Sequence, residues 1–165
     1  MNLLAGAIVI LLLIGLVVPA TAFSADRIEI LVAENGDAAI TFDYTLSWIE
    51  RAVVFMRIAD PGGELKRAME SHSGKEVTVI SVGPSGVVLR VDDFATVRES
   101  ADGRVYRTPA LDFTEAGRKL ATYWFARFVT VDTTPAVAVI QFPDGHQETL
   151  YDREVIPSIS HTIGK

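Results

Sequence analysis

The chain has 165 residues, with 15 basic against 21 acidic side chains (net charge −6) and no cysteine. That length suits one domain, and the acidic balance argues against a nucleic-acid surface, which needs Lys and Arg to neutralise phosphates. Without cysteine there is no disulfide, thiolate metal site or thiol nucleophile, and an apolar content of 49% excludes a disordered chain.

Every acidic and basic side chain lies after Ala25. Leu3 to Val18 is an unbroken apolar run, followed by Pro19 and the small-residue pattern Ala20-Thr21-Ala22. An apolar run ending in a helix breaker and an A-x-A site reads as a secretory signal peptide. Extended to Phe23, the uncharged stretch has about 21 residues, roughly 30 Å of helix and enough to span a bilayer. Residues 1–25 are therefore a cleaved leader or an N-terminal hydrophobic helix that anchors the chain in the membrane through residues 3–23. Both place a single domain, residues 26–165, outside the cytoplasm.

The exported part opens on a hairpin. Ile28, Ile30 and Val32 alternate with polar residues, as do Ile40, Phe42 and Tyr44. A two-residue Asn35-Gly36 turn would put these rows on opposite faces. A three-residue loop, Glu34-Asn35-Gly36, pairs Ile30 with Ile40 and Ile28 with Phe42 and keeps both rows on one face. The same chemistry, two turn-forming residues and then Gly, recurs at Pro84-Ser85-Gly86, Ala101-Asp102-Gly103 and Pro143-Asp144-Gly145, and the same bulged loop is expected at each.

Ser47-Trp48-Ile49-Glu50 fits a capping box, and Ile49, Ala52, Val53 and Met56 follow at helical spacing to about Ala59. Asp60-Pro61 can cap and open a second helix that carries Leu65, Ala68, Met69 and His72 and stops at Gly74. Strands are expected at 76–82, 87–92, 94–100 and 104–108. Asp112-Phe113-Thr114-Glu115 is another capping box, opening a helix to about Trp124. Residues 127–131 read as extended, 136–142 and 146–151 as a last hairpin, and 156–165 as a tail. The sum is an α+β fold: an antiparallel sheet built from hairpins with two or three packed helices, preceded by the N-terminal hydrophobic helix. An all-β sandwich is the alternative, since Val53-Val54-Phe55-Met56 can also extend as a strand.

Leu46-Ser47-Trp48-Ile49-Glu50-Arg51, Phe142-Pro143-Asp144-Gly145 and Ile156-Pro157-Ser158-Ile159-Ser160-His161 resemble segments of small exported archaeal proteins of unknown function. They cover about a fifth of the chain. The resemblance implies export and transfers no site residues.

Chemistry is sparse. His72, His146 and His161 have no H-x-x-x-H or H-E-x-x-H spacing, so a zinc site would need them to converge with a carboxylate. Ser158, Ser160, His161 and Asp144 supply the residue types of a serine hydrolase, but no G-x-S-x-G elbow accompanies them. Asp92-Asp93 and the Asp43/Glu50 region are paired acids. Adjacent acids on a strand face opposite ways, so Asp92 and Asp93 read as a solvated strand end. Tyr123, Trp124 and Phe125, with Phe128, form the densest aromatic cluster, a candidate protein-partner contact or a core filler. No phosphate loop or dinucleotide fingerprint occurs, and no catalytic, cofactor or metal residue is assigned. The expectation is an exported or membrane-tethered, non-catalytic module that binds a partner or serves the cell envelope; the alternative is an extracytoplasmic hydrolase with an unidentified active site.

Overall fold

The first hairpin forms in the register its apolar rows require. In the computed structural model, which describes residues 24–46, 61–114, 118 and 132–164, strand β1 (Ser24–Val32) runs antiparallel to β2 (Ala38–Thr45). Ile30 pairs with Ile40, and Ile28 with Phe42. Ala33 N–H donates to Asp37 O at 2.8 Å and Gly36 N–H to Ala33 O at 3.0 Å, with Gly36 at φ 93°. Glu34-Asn35-Gly36 is thus the expected three-residue loop, its glycine in a conformation that L side chains resist. Pro143-Asp144-Gly145 repeats it: Phe142 N–H donates to His146 O at 2.8 Å and Gly145 N–H to Phe142 O at 2.9 Å.

The other two loops are tighter than expected. Strands β3 (Val77–Gly83) and β4 (Gly86–Val91) meet through the pair Gly83–Gly86, and β5 (Thr96–Ser100) and β6 (Gly103–Arg107) through Ser100–Gly103. Each loop therefore has two residues, and its glycine opens the next strand. The reason lies on the far side of each ladder. Gly86 also pairs with Asp43 of β2, and Gly103 with Gly164 of strand β11 (Ser160–Gly164). A third strand draws the glycine out of the turn and into the sheet.

The large sheet has the order β3-β4-β2-β1-β8-β9, where β8 spans Val137–Gln141 and β9 spans Gln147–Tyr151. All its pairings are antiparallel except β1 with β8. A second sheet has the order β11-β6-β5, and two short strands, β7 (Leu111–Asp112) and β10 (Val155–Ile156), pair with each other. The segment expected as a tail is thus partly strand, with His161 opposite Tyr106 across the β11–β6 ladder.

This arrangement corrects the α+β expectation. The described residues are mostly β with one short helix, and the all-β alternative fits. The apolar face of the first hairpin meets strands and loops: Phe94, Ala95, Tyr106, Leu111, Phe113 and Ile156 join Ile28, Ile30, Ile40 and Phe42 in one buried cluster. Phe113 reaches Phe42 with ring centroids 6.1 Å apart. Burial drives the packing without regard to which element brings the apolar surface.

The one short helix, α1 (Pro61–Ser73), matches the second helix expected from sequence. Its Met69 is buried and Leu65 packs on the core. Gly74, at φ 64°, closes it by donating its N–H to Glu70 O at 2.8 Å. The helix also guards a sheet edge. Val77 N–H donates to Glu70 Oε1 at 3.3 Å, and Val77 O accepts from Lys66 Nζ at 2.6 Å, so side chains of α1 satisfy the start of edge strand β3.

The helix expected from Ser47 to Ala59 and the extended stretch 127–131 lie outside the described residues, as do the apolar residues 1–23. Of the third expected helix only the start is described: Asp112 Oδ1 accepts from Thr114 N–H at 2.9 Å and from its hydroxyl at 2.6 Å, and Thr114 and Arg118 are helical. Among the described residues no helix is long and apolar enough to cross a membrane.

Candidate functional site

The two sheets meet at a cleft of about 440 Å³ lined by Glu34, Glu99, Arg104, Tyr106, Pro143, Asp144, Ile163 and Gly164. The large sheet contributes through its two bulged turns, which supply Glu34, Pro143 and Asp144. The second sheet supplies Glu99 from β5, Arg104 and Tyr106 from β6, and Ile163 and Gly164 from β11. Tyr106 is buried, and its hydroxyl donates to Glu34 O at 3.0 Å. Arg104 Nε donates to Glu99 Oε1 at 2.9 Å. Three acidic residues and one guanidinium thus line the cleft, and the guanidinium is engaged by Glu99 and Tyr106 of its own sheet.

At one end of the cleft two histidines that are far apart in sequence come together. His161 of β11 places Nε2 2.7 Å from Asp144 Oδ2, and the same carboxylate accepts from His146 N–H at 3.0 Å. An ionised carboxylate can only accept, so His161 carries its proton on Nε2. The His161 contact, followed by the His146 N–H, holds the Asp144 carboxyl below its ordinary pKa. The imidazoles of His146 and His161 stack, with planes 6° apart and centroids 4.2 Å apart, and Phe142 packs against both. His146 Nε2 also reaches Glu148 Oε1 at 3.1 Å.

This convergence revises the sequence reading of the histidines without making a chelate. Parallel stacked rings send their nitrogens side by side and not toward one point. Among the described residues no group of three or more His, Asp or Glu could hold a metal ion. The side chain of His72 lies outside the described residues.

Of the serine-hydrolase types, His161 and Asp144 come together, while the bonds of both serines go elsewhere. Ser158 Oγ donates to Thr108 O at 2.6 Å, and Ser160 Oγ accepts from Arg107 Nε at 3.1 Å, so both hydroxyls serve the backbone and strand around β6. Asp92 and Asp93 are not on a strand: they form a turn after β4, with Asp93 at φ 50°. Asp92 there accepts from Arg90 Nε at 3.1 Å. Of the other acid pair, Glu50 lies outside the described residues. So do Tyr123, Trp124, Phe125 and Phe128.

A second surface feature is the free side of β3, where Ile80 and Val82 are 59% and 48% exposed beyond the part guarded by α1. Sequence reasoning misses Glu34, Glu99, Arg104 and Tyr106 as cleft residues because the partner strand β11 reads as a tail in the sequence. Glu148 carried a usable signal, since a residue two positions from His146 on an extended chain shares its face. Compared with protein families, curated proteins and solved structures, the chain matches none of them.

Proposed function

We propose that this chain is an exported or membrane-tethered, non-catalytic module that binds a small ligand or peptide end carrying positive charge in the cleft between its two sheets. The observation that supports this reading is the composition of the cleft, with Glu34, Glu99 and Asp144 against Arg104. A cationic group entering there meets carboxylates from both sheets, and a hydrogen-bonding partner meets the edge of Arg104 and Tyr106. The hydroxyls of Ser158 and Ser160 are spent on structural bonds. Residues 3–23 supply the leader or anchor, in keeping with the exported archaeal proteins that the chain's motifs resemble; mass spectrometry of the N-terminus in the native host distinguishes the two.

Calorimetric titration of the full chain with 1,5-diaminopentane and with a Lys-Gly dipeptide tests the binding. Saturable binding of either, weakened at least tenfold in Glu34→Gln/Glu99→Gln, is the expected result. No heat from either probe, or equal binding by the variant, removes the reading.

The Asp144–His161 contact supports one second reading, a hydrolase in which His161, oriented by Asp144, serves as general base toward a water in the cleft. An ester or amide hydrolysis that His161→Gln abolishes without loss of folding would establish it.

A further inference from the structure

The cleft and the start of β1 lie at opposite ends of the large sheet. Ser24 pairs with Thr45 across the β1–β2 ladder and bridges to Asp132 on its other side. The cleft begins only beyond Val32, where the β1–β2 turn carries Glu34. The nine residues of β1 separate the two by about 27 Å. Strand β8 runs parallel to β1, so the turn that follows it delivers Pro143 and Asp144 to the same far end. The second sheet is aligned in the same sense. Its end at Arg104 and Gly164 lines the cleft, whereas Phe113 lies back beside Phe42 and accepts from the Thr133 hydroxyl, close to the start of β1.

The start of β1 is also firmly held. Ala25 is buried; its N–H donates to Asp132 O at 3.2 Å, and its carbonyl accepts from Ala136 N–H at 3.1 Å. Asp26 accepts from the hydroxyls of Ser24 and Thr45, each at 2.6 Å. The chain is thus part of the sheet from Ser24 onward, and in the sequence the apolar run reaches Phe23. Two exposed apolar side chains, Val82 and Tyr151 on the two edge strands, lie in the half of the sheet nearer Ser24. Val82 is level with Ile28 through Val87 and Phe42, and Tyr151 with Arg27 through Val137. Tyrosine favours the headgroup level of a bilayer.

We propose that the tethered protein stands upright on its bilayer, with the start of β1 at the surface and the cleft held out of reach of that membrane's headgroups. The headgroup layer is about 5–7 Å deep on each face, against about 27 Å of strand. The ammonium group that the cleft takes therefore belongs to a molecule in solution and not to an aminophospholipid of the same membrane. This stance rests on the tether, and its ligand on the cationic reading of the cleft.

The chain has no cysteine, so one introduced thiol carries one fluorophore. Ser85→Cys in the β3–β4 turn, where the Ser85 carbonyl accepts from Tyr44 N–H, marks the end near Ser24; Ala33→Cys, at the foot of the β1–β2 turn, marks the cleft end. Both positions are exposed. The labelled full chains are reconstituted in phosphatidylcholine vesicles that contain a lipid with a nitroxide on its headgroup, a quencher of short range. Zwitterionic lipid avoids repulsion of Asp26, Asp43 and Asp132. The Ser85 label is expected to lose at least half of its emission and the Ala33 label little. Equal quenching of the two, quenching of neither, or stronger quenching of the Ala33 label overturns the stance. Flotation of the same vesicles separates the readings: protein left behind removes the tether, and the proposal with it. Floating protein with the expected quenching but no heat from 1,5-diaminopentane keeps the stance and removes only the ligand. Where 1,5-diaminopentane binds, replacing half of the lipid by phosphatidylethanolamine should leave its affinity unchanged; a weakened affinity would place headgroup amines in the cleft and overturn the proposal.

Discussion

The β1–β2 and β8–β9 turns have the same backbone and different surroundings. Both are three-residue loops with a glycine at positive φ, and both close with the same pair of backbone hydrogen bonds. The first is docked on every side. Gly36 O accepts from Ala95 N–H at 2.8 Å, and Glu34 O accepts from the Tyr106 hydroxyl. Asp37 takes the Asp93 N–H, the Asn35 amide and the Arg90 guanidinium. The second turn stands open at Gly145 and is tied across the sheets by Asp144 to His161. Two turn residues and a glycine are enough to set the local path of the chain. What rests on the turn is decided by segments distant in sequence, and that is where the stability of the two turns should part.

Gly36→Ala is expected to give the largest loss. A Cβ there would lie 2.5 Å from the Ala95 carbonyl oxygen and 3.1 Å from Val97 Cγ2. The left-handed backbone costs about 1–2 kcal/mol for a residue with a side chain, and displacing a packed carbonyl adds about 1 kcal/mol or more. The unfolded chain returns about 0.4–1 kcal/mol of this, so urea unfolding should show a loss of about 1.5–2.5 kcal/mol. A loss below 1 kcal/mol would mean that the loop between β4 and β5 does not rest on this turn.

Asp37→Asn comes next and has a pH signature. The Asp93 N–H above all, with Asn35 and Arg90, holds the Asp37 carboxyl below its ordinary pKa. A carboxyl depressed in the folded state contributes stability that is present above its unfolded pKa, near 4, and is lost as pH falls through the lower folded value. The variant should therefore unfold more easily than the parent at pH 7, and the two should converge as the pH drops below about 4. A gap that persists unchanged to pH 2 would assign the loss to shape and not to charge.

Tyr106→Phe should cost about 1 kcal/mol or somewhat more, because the bond to Glu34 O and the side-chain contact with Arg104 are removed while the buried ring stays. No change in urea unfolding would mean that water replaces the hydroxyl at that carbonyl without penalty.

The same contrast explains what could be read from the sequence. Alternation in Ile28–Val32 and Ile40–Tyr44, joined to the loop rule, determined the register of the first hairpin because a slip of one residue would have turned an apolar row to water. Pro61 and Gly74 bounded α1 through backbone preferences that act locally. The α+β expectation failed because an apolar face specifies only that it will be covered. The strands and loops that carry Tyr106, Leu111 and Ile156 do so here, and their own patterns are short. The histidine pair was illegible for a related reason: His161 reaches Asp144 only because β11 pairs with β6, and Ile156–Lys165, with its Pro157 and Gly164, gave no strand signal strong enough to show it.

Gly145→Ala is the smallest expected effect and the control for the first. Its φ of 86° is close to that of Gly36, so the backbone penalty is of the same kind, but among the described residues nothing lies within 4 Å of a Cβ built there. The unfolded chain also loses freedom when glycine becomes alanine, which returns about 0.4–1 kcal/mol. The net loss should be about 0.5–1 kcal/mol. Subtracting it from the loss at Gly36 cancels the left-handed backbone and leaves the cost of pushing against Ala95. Equal losses at the two sites would show that the docked turn gains nothing from its neighbours. A loss at Gly145 as large as 2–3 kcal/mol would instead mean that the open turn is covered in solution.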